Sequence, residues 1–160
     1  MARASLTNAV EIELAATWAE NVIVTVHAGT EYSPRPTEWR RARVRAAIDA
    51  GADVVIGHHP HVLQPWERYN GGVISYSLGN FVFDLDTDDL ATLDSGPFET
   101  AVAMITLSPD APPEVEFRPA YIDPLENRPR PATTEEAAAI SEVLRDVTPQ
   151  RDPCLRLQPR

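Results

Sequence analysis

The sequence contains no lysine: all 14 of its basic residues are arginine, set against 24 carboxylates, for a net charge of −10. Nucleic-acid binding needs a basic stripe that displaces counterions from phosphates, so this balance argues against that class. Cysteine is almost missing too. Cys154 stands alone in a Pro- and Arg-rich tail, which excludes an intramolecular disulfide framework. No apolar run approaches the roughly 20 residues of a membrane-spanning helix. Residues 1–20 carry Glu11, Glu13 and Glu20 and lack a long apolar core, so they do not read as a signal peptide.

What is present is an ordinary globular balance. Hydrophobic residues make up 43% and charged residues 24% of 160 residues, enough for one domain with its own core. The pattern bounds that domain at residues 1–147 and leaves 148–160 as a tail. Residues 5–19 space Leu6, Val10, Ile12, Leu14 and Trp18 as a helix would. "NVIVTVHAG" is a short β-branched run and reads as a buried strand. Thr37 caps a second helix, "EWRRARVRAAIDA". Its expected core face is Trp39, Val44, Ala47 and Ile48, with Arg40, Arg41, Arg43 and Arg45 outward and Gly51 as the stop signal. "ADVVIG" is a second buried strand.

Strand, helix and strand in this order form a βαβ unit with parallel strands, so both strands end at one edge of the sheet. "HVLQPWERY" and "GVISYSLGNFVF" flank Asn70-Gly71 and read as a hairpin. "DLDTDDLATLDSGP" reads as an acidic loop. "FETAVAMITLS" and "PEVEFRPAYI" read as an antiparallel pair, and "NRPRPAT" as a rigid connector. Thr133 and Glu136 form a capping box for a last helix.

Histidine is scarce and clustered. His58, His59 and His61 fall within "GHHPH" after the second strand, and His27 ends the first. Ligands in open α/β sheets bind beyond the carboxyl ends of the strands, so all four converge on one site. Ser, Asn or Asp serve a polar turn more readily than imidazoles do. Three neutral nitrogen donors with an open position suit a catalytic divalent metal: Mn, Fe, Zn or Co. Neighbouring side chains on an extended chain point opposite ways. His59 and His61 are therefore the expected inward pair, joined by His27, with His58 as a supporting or substrate contact. Glu31 is in reach as a further ligand or a base. Asn80 is placed to offer an amide oxygen or to orient a ligand, and Asp84 is a weaker supporting candidate.

At "VHAGTEY" and "DAGADVVIGHHPHVLQPWERYNGGVISYSLGNFVFD" the sequence resembles the CapA family of poly-γ-glutamate capsule biosynthesis proteins, in the calcineurin-like metallophosphatase superfamily. The resemblance runs from about Val22 to about Pro124. It implies an α/β fold: part of a four-layer α/β/β/α sandwich, with one parallel βαβ unit followed by antiparallel hairpins. It also implies a dinuclear metal site. His27 and Glu31 match the family's His-x-Gly-x-Glu motif, His59 and His61 its metal-binding histidines, and Asn80 the Asn of "SLGNF". Ala28 departs from the aromatic residue usual after the first histidine.

The resemblance covers the carboxyl-terminal half of the family's domain. The expected partners are therefore the amino-terminal half, or a second copy, together with an acidic polymer (poly-γ-glutamate) or its synthase. An uncovered sheet edge and apolar face are expected too. In this reading the chain is a metal-dependent hydrolase-type module, with His58 or Glu31 assisting proton transfer. The competing expectations are a non-catalytic accessory or polymer-binding module and a truncated, inactive fragment. The family's usual setting is the cell envelope.

Overall fold

The computed structural model describes residues 6–83 and 96–148. The acidic loop with Asp84, Cys154 and most of the tail lie outside the described residues.

The β-branched run expected to be buried forms β1 (Ile23–His27), and "VVIGH" forms β2 (Val54–His58). They pair in parallel, with His27 opposite His58 at their carboxyl ends. β3 (Leu63–Tyr69) and β4 (Gly72–Leu78) form the expected hairpin. Its turn uses Asn70 at φ 47° and Gly71 at φ 88°, the left-handed pair that a two-residue hairpin favours. β4 also pairs in parallel with β2, giving a mixed sheet of order β1-β2-β4-β3.

Two helices cover one face of this sheet. α1 spans Leu6–Ala16 and α2 spans Glu38–Asp49. The Thr37 hydroxyl accepts from the Arg40 amide, satisfying one of the free N–H groups of the first turn of α2. Val44 and Ile48 of α2 pack with Val22, Val55, Ile74 and Tyr76; Ile12, Ala15 and Ala19 of and just after α1 close the cluster.

The expected partition of α2 is wrong at two positions. Arg40 is 1% exposed, whereas Trp39 is 46% exposed and lies under the Arg43 guanidinium. The core face runs 40, 44, 48, one residue per turn, so Arg40 shares the line of Val44 and Ile48.

The second sheet is antiparallel, of order β5-β6-β7. β5 (Glu99–Ser108) and β6 (Ala111–Asp123) are the expected pair. The segment read as a connector contains β7 (Arg128–Pro131) instead. Its two prolines are tolerated because β7 is an edge strand. α3 (Thr134–Val143) carries the capping box: Thr133 Oγ1 accepts from the Glu136 amide while the Glu136 carboxylate accepts from the Thr133 amide. Ile140 and Leu144 pack with Leu63 and Ala101, which joins α3 and the second sheet to β3. Among the described residues no helix is long and apolar enough to cross a membrane.

The two edges of the mixed sheet differ. Along β3, Trp66 exchanges backbone hydrogen bonds with Arg145 and Val147, and the Arg68 amide donates to Thr148. Among the described residues no strand pairs with the outer side of β1. Apolar side chains are also open to solvent here: Ile23 on β1, Val10 and Leu14 on α1, and Trp18 just after it.

Candidate metal centre

Two loops at the carboxyl ends of β1 and β2 build the site. The first leaves His27 through Gly29, at φ 139°, and carries Glu31. The second leaves His58 and turns sharply, with His59 at φ 98° and His61 at φ 60°. These are left-handed conformations that cost an L side chain on the order of 1–3 kcal/mol each, and such strain concentrates at functional sites. The two loops are tied directly: the Tyr32 amide donates to the Pro60 carbonyl at 2.8 Å.

This path brings Glu31, His59 and His61 together, with one potential ligand atom from each lying within 4.8 Å of the others. Donors on a single tetrahedral ion with bonds of about 2.1 Å stand about 3.4 Å apart, so the three groups would have to draw together to share one ion. Two imidazoles and a carboxylate suit Zn, Mn or Fe. His59 and His61 share a side not because the chain is extended but because it reverses at His59.

Asn80 fixes one of these rings. Its Nδ2 donates to the carbonyls of His61 and Pro97, both at 3.1 Å. Its Oδ1 is therefore the acceptor, 2.8 Å from His61 Nδ1, which must carry the proton. Nε2 of His61 is left bare, the form that binds a metal. Asn80 thus fixes the orientation of the His61 ring. Phe83 and Tyr32 border the same ring, at centroid distances of 4.7 and 6.1 Å.

His27 meets His58 rather than the triad. Their Nδ1 atoms are 2.7 Å apart, so one ring donates and the other accepts. The His27 ring still lies 4.8 Å from that of His59. Burial pulls the His58 imidazole below its usual range, helped by the nearby His27, Arg40 and His59. Sequence reasoning missed Arg40 and Gln64, which lie buried behind the site; the spacing of Arg40 with Val44 and Ile48 was the available signal.

The bacterial capsule synthesis protein PGA_cap family matches residues 3–85, more than half of the chain. The PGA biosynthesis protein CapA of Bacillus subtilis (strain 168) is 59% identical over 66 residues, 41% of this chain and 17% of that protein. The capsule biosynthesis protein CapA of Bacillus anthracis is 53% identical over 66 residues, 41% of this chain and 16% of its own length. An uncharacterized protein, y4sH, of Sinorhizobium fredii is 45% identical over 58 residues, 36% of this chain and 13% of its own. The matched segment is thus less than a fifth of each of these relatives. On the strength of the match across residues 3–85, the chain belongs to the bacterial capsule synthesis protein PGA_cap family.

Proposed function

We propose that this chain is the metal-binding part of a CapA-like protein of capsule-polymer biosynthesis, with a metal-dependent hydrolase-type site. The observation that carries the reading is the Glu31, His59 and His61 triad at the carboxyl ends of two parallel strands. A divalent ion held there supplies Lewis acidity toward a phosphoryl or carbonyl oxygen.

The chain's own residues have distinct tasks. Glu31, His59 and His61 hold the ion, and Asn80 keeps His61 in the required tautomer. His58 moves protons: with its imidazole held below the usual range it is a base at neutral pH, and its bond to His27 fixes the ring. The polymer is poly-γ-glutamate or a related acidic polymer, the setting the envelope, and the architecture part of a four-layer metallophosphatase sandwich. The names of the two CapA relatives and the family match support this setting.

The partner is the remainder of that sandwich or a second copy, docked on the open side of β1 and α1. The apolar residues exposed there support this, Trp18 at 76% and Leu14 at 63% above all. The same open face supports a second reading, an accessory module that binds metal and docks without catalysis.

Metal content after dialysis tests the site. About one Mn, Fe or Zn per chain is expected, lost in the His59→Ala, His61→Ala double variant; equal metal in both chains, or none in either, overturns the reading. Hydrolysis of an aryl phosphate by the loaded chain then separates enzyme from accessory module.

A further inference from the structure

Arg40 is a buried cation whose side-chain hydrogen bonds, among the described residues, go only to neutral oxygens. Nη1 donates to Gln64 Oε1 at 3.1 Å, and Nη2 donates to the Tyr76 carbonyl at 2.5 Å and the His58 carbonyl at 3.4 Å. None of the ion pairs among the described residues includes it. Full burial of an arginine without a carboxylate is costly, so its position needs a reason.

Its partners supply one. The His58 carbonyl also accepts from the Ala28 amide at 3.2 Å, where the Glu31 loop begins. Gln64, itself 1% exposed, donates from Nε2 to the Ser33 carbonyl at 2.8 Å, where that loop continues. One guanidinium therefore reaches the strand end that launches the histidine turn and, through Gln64, the far side of the loop carrying Glu31.

Two glycines reserve its space. A Cβ on Gly29 would lie 2.8 Å from Arg40 Nη1 and 3.2 Å from Pro60 Cγ. A Cβ on Gly57 would collide with both Arg40 Nη2 and the Tyr76 carbonyl.

We propose that Arg40 is a positioning residue: acting through Gln64, it sets the spacing between Glu31 and the His59–His61 pair. The proposal rests on the metal reading above. Ligand geometry tolerates errors of only about 0.5 Å, so a brace between the two loops governs affinity. Arginine suits the task because its planar fork serves several acceptors at once, which the point charge of a lysine cannot do.

Two variants test it. Gln64→Glu gives Arg40 a carboxylate partner while removing the N–H that holds the Ser33 carbonyl. Arg40→Met removes the fork at similar volume; it takes the guanidinium donor from three oxygens, so a lower thermal midpoint is expected. Three readouts are taken: Mn²⁺ affinity, the visible spectrum of the Co²⁺-loaded chain, and hydrogen exchange of the Tyr32 amide without metal.

In Gln64→Glu the thermal midpoint is expected to hold. Mn²⁺ affinity falls about tenfold or more, the Co²⁺ bands shift, and Tyr32 exchanges faster. If Mn²⁺ affinity and the Co²⁺ spectrum are unchanged in both variants, the proposal is overturned while the metal reading stands. If the unaltered chain binds neither ion, the metal reading fails and Tyr32 decides alone: faster exchange in the variants upholds the brace, and unchanged exchange overturns it.

Discussion

The Oδ1 atom of Asn80 lies 2.8 Å from Nδ1 of His61, 19 residues earlier in the chain. That bond decides which nitrogen of His61 faces the triad. Asn80→Ala is expected to weaken Mn²⁺ binding by about 10–100-fold while leaving the ligand count unchanged. Isothermal titration reads the loss, and an affinity equal to that of the unaltered chain would sink the assignment.

His59 pays for its place with backbone strain at φ 98°. Glycine adopts that conformation freely, and its extra freedom in the unfolded chain offsets only part of the relief. His59→Gly is expected to stabilise the metal-free chain by about 1 kcal/mol and to abolish metal binding. Urea unfolding in chelator checks the first claim; a destabilised variant would show that the turn is held by the imidazole itself.

Glu67 is fully buried and accepts from Arg45 Nε at 2.8 Å, Arg45 Nη2 at 2.6 Å and the Tyr76 hydroxyl at 2.5 Å. Burial pushes its carboxyl up, but the bonds from Arg45 and Tyr76 outweigh this and hold it below the usual range. A carboxylate with a lowered pKa stabilises the fold above the ordinary glutamate range and loses that contribution as pH falls through the lowered value. Glu67→Gln should cost about 1–3 kcal/mol at neutral pH. It should also make stability less sensitive to acid. Denaturant titrations at several pH values test both, and parallel pH profiles for the two chains would refute the second.

Gly57 leaves no room for a methyl group, because the Tyr76 backbone carbonyl fills that space. Backbone cannot step aside as a side chain can. Gly57→Ala is expected to cost about 3 kcal/mol or more, seen as a large fall in thermal midpoint, whereas Gly71→Ala meets no atom within 4 Å and pays only for its left-handed φ. Equal losses at the two sites would contradict the close approach.

Val10, Leu14 and Trp18 repeat every fourth residue and are all solvent-exposed. Leu14→Glu with Trp18→Glu should abolish concentration-dependent association in sedimentation velocity without lowering the thermal midpoint. An unaltered chain that stays monomeric at every concentration would remove self-association as the role of this face.

The βαβ unit was legible because β-branched runs bounded by polar turns at short spacing leave few alternatives. Once β1 and β2 are parallel, His27 and His58 must reach one edge, and they sit opposite each other there. The cluster of Glu31, His59 and His61 was only partly legible. The reversal at His59 depends on φ values that no side-chain pattern announces, and the His27–His58 bond follows from register rather than residue type. Arg40 and Glu67 were both hidden. Arg40 was read as outward because of its charge, and Glu67 drew no reading at all, whereas both are buried among specific hydrogen-bond partners. β7 was hidden by its prolines, which only the interior of a sheet excludes.

The uneven edges of the mixed sheet have one more consequence. Residues 145–148 bond along the β3 side, whereas among the described residues the outer side of β1 is open to a further strand. A strand added there would run about 4.8 Å from β1. Whatever that strand bore at the level of His27 would be a neighbour of His27, whose ring meets those of His58 and His59. A partner that docked there would bring its own side chains within reach of the histidine cluster.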